Sequence, residues 1–213
     1  MQLKAEQIKN VKGTLFVLCL LPVLRLAWLA TQHGLGANPI EYITRSTGWW
    51  TLTFLALTLL VTPARRWLNW PWLARLRRML GLYAFFYASL HFAIYIWLDQ
   101  FFDWSSVVKD VIKRPFITIG FAAFVMLIPL AVTSTHAMVK RLGAKRWQWL
   151  HRAVYVIGTC GVIHFWWLVK KDIREPLLFA LIIGSLLAVR LWFVMRKTPL
   201  SRATPMPSQT ARI

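Results

Sequence analysis

The sequence predicts an all-α integral membrane protein, a six-helix bundle with both termini on the cytoplasmic side. Three observations lead there. Of its 213 residues, 58% are hydrophobic and the mean hydropathy is +0.52, beyond the range of ordinary soluble domains. Apolar segments recur at roughly 14–32, 48–64, 79–98, 115–135, 153–169 and 177–195, each long enough, or nearly so, for about 30 Å of hydrocarbon. The basic residues also gather on one side of the membrane those segments define.

With the N-terminus inside, cytoplasmic segments carry 17 Lys and Arg, the opposite side carries 7, and Arg25 and Arg190 fall within helices. Six of the seven acids (Glu41, Asp99, Asp103, Asp110, Asp172, Glu175) fall outside. This is the positive-inside pattern. The net charge of +19 therefore reports topology, with anionic membrane lipid as the partner. Nucleic-acid binding would require a basic, aromatic-interleaved patch on a soluble domain, which the sequence lacks.

The first segment, GTLFVLCLLPVLRLAWLA, has the basic start of a signal peptide. It is longer than a usual h-region and no clear A-x-A site follows before Gly34, so it reads as a retained helix. The stretch His33 to Thr47, with Gly34, Gly36 and Pro39, fits an outer turn. After Pro63, WLNWPWLARLRR is basic and aromatic and belongs in the inner interface. The second outer connection is the longest. Its Phe101, Phe102, Trp104, Val107, Val108, Val111 and Ile112 form the apolar side of a short amphipathic surface helix, open to lipid or to a periplasmic partner.

Many of the 13 Trp residues fall near segment ends, as an aromatic belt does. Trp166 and Trp167 follow a histidine and could instead pack against a cofactor. Cys19 and Cys160 lie in apolar segments without a pairing motif and read as packing residues. The tail 198–213, with Pro205, Pro207 and small polar residues, reads as disordered. That leaves one membrane domain over 1–197 and no inverted repeat of the transporter kind.

The candidate chemistry lies in the histidines. His91 is 13 residues past Arg78, and His164 is 12 past Arg152. Both arginines mark the inner edge, so each histidine is roughly 18–20 Å into the bilayer. An ionisable residue at that depth is costly and functional by default. Either imidazole alone could be a hydrogen-bonded packing residue. Two at matched depth on neighbouring helices supply the two axial bonds of a haem iron.

His151 is different: it lies at the inner edge, 13 residues before His164. That is about 20 Å along a helix, which suits a second haem, but an ideal helix turns the two by about 220° and presents them on different faces. Helix tilt, a bend near Gly158 and Gly161, or the placement of the haem would have to reconcile them. His136 is a candidate partner for His151 or a solvated loop histidine, and His33 reads as a surface residue. Arg25 needs either a counter-charge, such as a haem propionate, or a route to the headgroups. Arg77 and Arg78 are topology charges first, with contact to an inner propionate as a second role.

Four segments carry a resemblance: STGWWTLTFLALTLLVTPARR, RLRRMLGLYAFFYASLHFAIY, KRPFITIGFAAFVMLIPLAVTST, and LGAKRWQWLHRAVY followed by His164. Their order and spacing resemble the MsrQ (formerly YedZ) family, bacterial haem-binding membrane subunits of a periplasmic methionine sulfoxide reductase system. W-x-x-L-H-R-x-V-Y, from Trp147 to Tyr155, is shared more loosely with ferric reductase-like transmembrane domains. The resemblance implies a multi-pass inner-membrane protein with b-type haem, one or two, held by His91, His151 and His164. It also implies electron delivery to a periplasmic molybdopterin subunit, MsrP, which would perform the sulfoxide chemistry and leave no catalytic residue here. FMN is a further cofactor of the family, and no motif places it in this sequence.

One departure stands out. The wider superfamily carries paired histidines on the third helix, whereas this chain has arginines at the cytoplasmic position. No G-x-G-x-x-G fingerprint is present, so electrons would come from membrane quinol or a cytosolic flavin reductase. Competing readings are a cytochrome with another acceptor, such as ferric iron, and a haem-free scaffold or transporter. The second expects acidic residues near the midplane, where none of the seven acids falls.

Overall fold

The computed structural model describes residues 3–169 and 171–196. These form nine α-helices and no strand among the described residues. The segment read as a disordered tail lies outside them. The helices are α1 (Ala5–Thr31), α2 (Pro39–Trp67), α3 (Arg77–Ile94), α4 (Trp104–Lys113), α5 (Pro115–Val132), α6 (His136–Leu142), α7 (Ala144–His151), α8 (Ala153–Leu168) and α9 (Arg174–Met195). We call the end of the bundle bearing Thr31, Pro39 and Arg174 the outer end, following the charge distribution.

Five elements are long and apolar enough to cross a membrane: α1, α2, Pro71–Asp99 around α3, α5 and α9. The expected span at 153–169 is the 16-residue α8, ~24 Å at the α-helical rise, with α7 prolonging it beyond a break at Arg152.

Side-chain caps allow polar residues to open two helices, and α2 thereby exceeds its hydropathy limit. In α2, the Asn38 side chain accepts from the Glu41 N–H, and Pro39 occupies the first turn, where its missing N–H costs nothing. The helix therefore begins nine residues before the apolar run, and most of the expected outer turn at His33 to Thr47 is helical. The short α4 is the amphipathic helix expected in the second outer connection. Asp103 caps it, accepting from the Ser105 and Ser106 N–H groups and from the Ser106 hydroxyl at 2.8 Å. Those donors hold the Asp103 carboxyl below the usual carboxylate range. Val107 is buried while Val108 and Ile112 are exposed.

The core is built on α2, the most buried span. Leu59, Tyr87, Ile157 and Ile183, from α2, α3, α8 and α9, are almost wholly inaccessible. Phe54 stacks on Tyr83 and Tyr87 at 5.5 and 5.2 Å. These two tyrosines also tie down α1, which otherwise exposes most of its surface. The Tyr83 hydroxyl donates to the Phe16 carbonyl at 2.8 Å. The Tyr87 hydroxyl accepts from the Val23 N–H at 3.3 Å and donates to the Cys19 carbonyl at 2.8 Å. It bridges two groups that an α-helix joins directly, beside Pro22, where the helix is weakest.

Two antiparallel pairs position the site. α2 packs on α3 and α5 packs on α8. Each pair is linked near both ends: Thr44 meets His91 and Thr62 meets Arg77 in the first, while Phe116 meets His164 and Thr133 meets His151 in the second.

Candidate functional site

His91 lies near the outer end of α3 and His164 near the outer end of α8. Their ring centroids are 6.1 Å apart and the planes cross at 82°. The His91 Nδ1 lies 2.9 Å from the Thr44 carbonyl oxygen, with the buried Thr47 hydroxyl at 3.4 Å. The His164 Nδ1 lies 2.6 Å from the Phe116 carbonyl oxygen. A carbonyl only accepts, so both Nδ1 atoms carry their protons and both Nε2 atoms keep a lone pair. This is how proteins orient histidine ligands and fix their tautomer.

The spacing fits a metal between the rings. Two metal–imidazole bonds of about 2 Å, with about 1.1 Å from ring centre to nitrogen on each side, place centroids roughly 6 Å apart. Glycines back both rings. A Cβ on Gly48 would lie 3.1 Å from His91 Cε1, and one on Gly120 would lie 2.7 Å from His164 Nδ1. The rings therefore occupy space that α2 and α5 leave by lacking a side chain at those positions.

The rings face a cavity of about 320 Å³. Leu52, Leu55, Phe124, Leu127 and Ile157 form apolar wall, and Arg45, Asp99 and Arg114 approach it from the outer end. This is the lining of a largely apolar cofactor with charged edges, which matches a haem plane and its propionates. Arg45 pairs with Glu41 at 3.4 Å and Arg114 with Asp110 at 3.2 Å, so both guanidiniums are half exposed and held in place. α3 gives way to a single π-type turn, Tyr95–Asp99, just beyond His91. That irregularity carries Tyr95 and Asp99 to the cavity.

Several expectations change here. Arg25 donates to the Tyr42 hydroxyl at 3.2 Å in an exposed position, so it reaches outward and does not line the cavity. Trp166 and Trp167 are exposed; Phe165, between them and His164, lines the cavity instead. The sequence reading missed Thr44, Gly48, Gly120, Arg45, Phe116 and Arg114. Gly48 and Gly120 were the available signal, being small residues inside otherwise bulky apolar spans. Arg45 was read as lying in a loop.

The inner histidine has a different environment. His151 ends α7, and its Nε2 lies 3.1 Å from Thr133 Oγ1, whose own proton goes to the Pro129 carbonyl at 2.6 Å. The hydroxyl oxygen therefore accepts from His151 Nε2–H. The ring stacks on Trp147 at 4.0 Å, and Trp147 Nε1–H donates to the Thr133 carbonyl at 2.8 Å. The helix breaks at Arg152 rather than at Gly158 or Gly161. Gly158 instead admits Ile183 and Leu59, and Gly161 admits Leu52, at close range. His136 is exposed at the start of α6, as is His33 in the outer turn. Among the described residues no three His, Cys, Asp or Glu side chains gather as a metal cluster. Arg77 donates to the Thr62 hydroxyl at 2.6 Å and Arg78 is exposed; both lie at the inner end of α3, away from the histidine pair.

A helical membrane bundle that presents two oriented imidazoles across an apolar cavity defines a class, the membrane haem proteins. The family of ferric reductase-like transmembrane components matches residues 47–162, which take in His91 and His151 and stop just short of His164. The chain is 58% identical over 193 residues to the protein-methionine-sulfoxide reductase haem-binding subunit MsrQ of Herminiimonas arsenicoxydans, covering 90% of this chain and 88% of that one. The subunits of the same name from Ralstonia nicotianae and Azospira oryzae are 53% and 49% identical, covering 91% and 95% of this chain and 90% and 86% of theirs. The chain belongs to the MsrQ family of haem-binding subunits, within the ferric reductase-like transmembrane class.

Proposed function

We propose that this chain is a b-type cytochrome of the bacterial inner membrane that delivers electrons to a periplasmic molybdopterin reductase of the MsrP kind, for repair of oxidised methionine. The observation that carries the reading is the imidazole pair, 6.1 Å apart with both Nδ1 atoms committed to carbonyls. Haem held there supplies a one-electron couple. The chain's own residues do the rest. His91 and His164 offer Nε2 lone pairs, Thr44 and Phe116 hold the rings against rotation, and Leu55, Phe124 and Leu127 keep water out. Arg45 and Arg114 offer positive charge to carboxylates at the outer edge.

In this reading one membrane domain covers 1–197, with six membrane passes, α7 and α8 together forming the fifth, and both termini are cytoplasmic. His151, with Arg77 and Arg78, serves the input side toward a quinol or a cytosolic flavin reductase. Iron ligation by His151 Nε2 there would require it to exchange Thr133 for iron, so a second haem is subordinate to the outer site. The test is reduction of a purified MsrP-type partner by the dithionite-reduced, detergent-purified protein. Oxidation of the cytochrome that depends on the partner and on methionine sulfoxide is expected. A stable reduced spectrum in the presence of both would exclude this acceptor.

A further inference from the structure

The inner end holds a second arrangement that the histidine pair does not use. Pro63 lies inside α2 and has no N–H, so the Leu59 carbonyl lacks its helical donor. Arg190 of α9 supplies one: its Nη2 donates to Leu59 O at 2.8 Å and to Thr62 Oγ1 at 3.1 Å, and its Nη1 donates to the Tyr155 hydroxyl at 2.8 Å. The Thr62 hydroxyl also accepts from Arg77 Nη2. Two guanidiniums from α3 and α9 therefore converge on one hydroxyl.

Among the described residues no carboxylate pairs with either of them. The two ion pairs among the described residues are Arg45–Glu41 and Arg114–Asp110, both toward the outer end. The Arg190 Nε is buried without any hydrogen-bond partner. Buried donors of this kind are rarely left unused, and two like charges at one point in a low-dielectric region call for an anion. Arg190 and Thr62 each stand five residues from the inner end of their helix, about 7–8 Å, which is the depth of the headgroup boundary. Arg77 is exposed, so the pair can be reached from the surface. Guanidinium pairs match the geometry of phosphate oxygens.

We infer that Arg77 and Arg190, with the Tyr155 hydroxyl, form an anion site for a phosphate group at the inner membrane face. An anionic phospholipid headgroup and free inorganic phosphate share that chemistry. This goes beyond the proposed electron-transfer role and does not depend on it; the two share the inner face and Arg77.

The test uses the haem-loaded protein and the variants Arg77→Gln, Arg190→Gln and Arg190→Lys. Retention of phosphatidylglycerol through delipidation is read by native mass spectrometry, and binding of inorganic phosphate is read by isothermal titration calorimetry with and without that lipid. The site predicts at least a tenfold loss of retained phosphatidylglycerol or of phosphate affinity in Arg77→Gln and Arg190→Gln, with partial recovery in Arg190→Lys. Lipid retention without phosphate binding assigns a headgroup, and phosphate binding that displaces lipid assigns the free anion. The visible spectrum reports the histidine pair separately and is expected to stay unchanged. If Arg190→Gln does not fold, because Leu59 O loses its donor, the exposed Arg77 carries the test. Equal retention of lipid and equal phosphate binding by wild type and Arg77→Gln would overturn the site.

Discussion

The two ends of the α5–α8 pair hold one histidine each, and they treat it in opposite ways. At the outer end a carbonyl takes the Nδ1 proton of His164, which leaves Nε2 its lone pair in a ring 6.1 Å from a second imidazole. At the inner end a hydroxyl engages the Nε2 of His151, and the ring is covered by Trp147. The residue type is the same, and the two sit on consecutive helices, His151 at the end of α7 and His164 on α8. What differs is the atom on the neighbouring helix. A carbonyl imposes a tautomer and frees the other nitrogen, whereas a hydroxyl whose proton is already spent turns the nearer nitrogen into a donor.

That contrast sets the order of expected effects. The largest belongs to the ligands themselves. His91→Ala or His164→Ala should abolish the bis-imidazole absorption, whereas His151→Ala should leave it intact and act on the rate of electron input, measured with a donor in proteoliposomes. Next is Gly120→Ala. Its Cβ would fall 2.7 Å from His164 Nδ1, against backbone-held ring atoms that cannot swing away without losing the Phe116 bond. Overpacking of this kind costs about 1–3 kcal/mol, and haem transfer to apomyoglobin should be faster by roughly five- to a hundredfold. Gly48→Ala, with 3.1 Å to His91, should show the same effect more weakly; equal haem loss from both and from wild type would break the cradle argument.

Arg45→Gln and Arg114→Gln should act less. Each removes a positive charge at the outer edge of the cavity, which favours the oxidised site and lowers the midpoint potential without changing the absorption spectrum. An unchanged potential in the double variant would remove the propionate role. The smallest effect is expected from Thr133→Val. It deletes the His151 hydrogen bond, worth about 1 kcal/mol, and should leave the outer site untouched. A new low-spin signal in that variant would show that Thr133 alone keeps His151 from binding iron.

Much of this was legible in the sequence. Hydropathy located α1, α2, α3, α5 and α9 because lipid-facing spans must be apolar, and depth counting from Arg78 and Arg152 matched His91 to His164. Helix ends were less legible. Residues 39–47 are polar, so α2 was placed too late, and the Thr44 carbonyl, Thr47 and Arg45 were assigned to a loop. The carbonyls of Thr44 and Phe116 could not be read at all, since every residue has one and only packing selects it. Helical phase flags the His151 problem, but of the remedies it suggests the glycine bend is not the one found: the break falls at Arg152, and Gly158 and Gly161 are where neighbouring side chains come close.

The most direct test is a visible spectrum of the purified protein, oxidised and dithionite-reduced, with pyridine haemochrome quantification per chain, repeated on His91→Ala. The account predicts a low-spin b-type spectrum in the wild type that His91→Ala loses. A full bis-imidazole spectrum in His91→Ala, or a wild-type protein that stays colourless after reconstitution with haem, would contradict it.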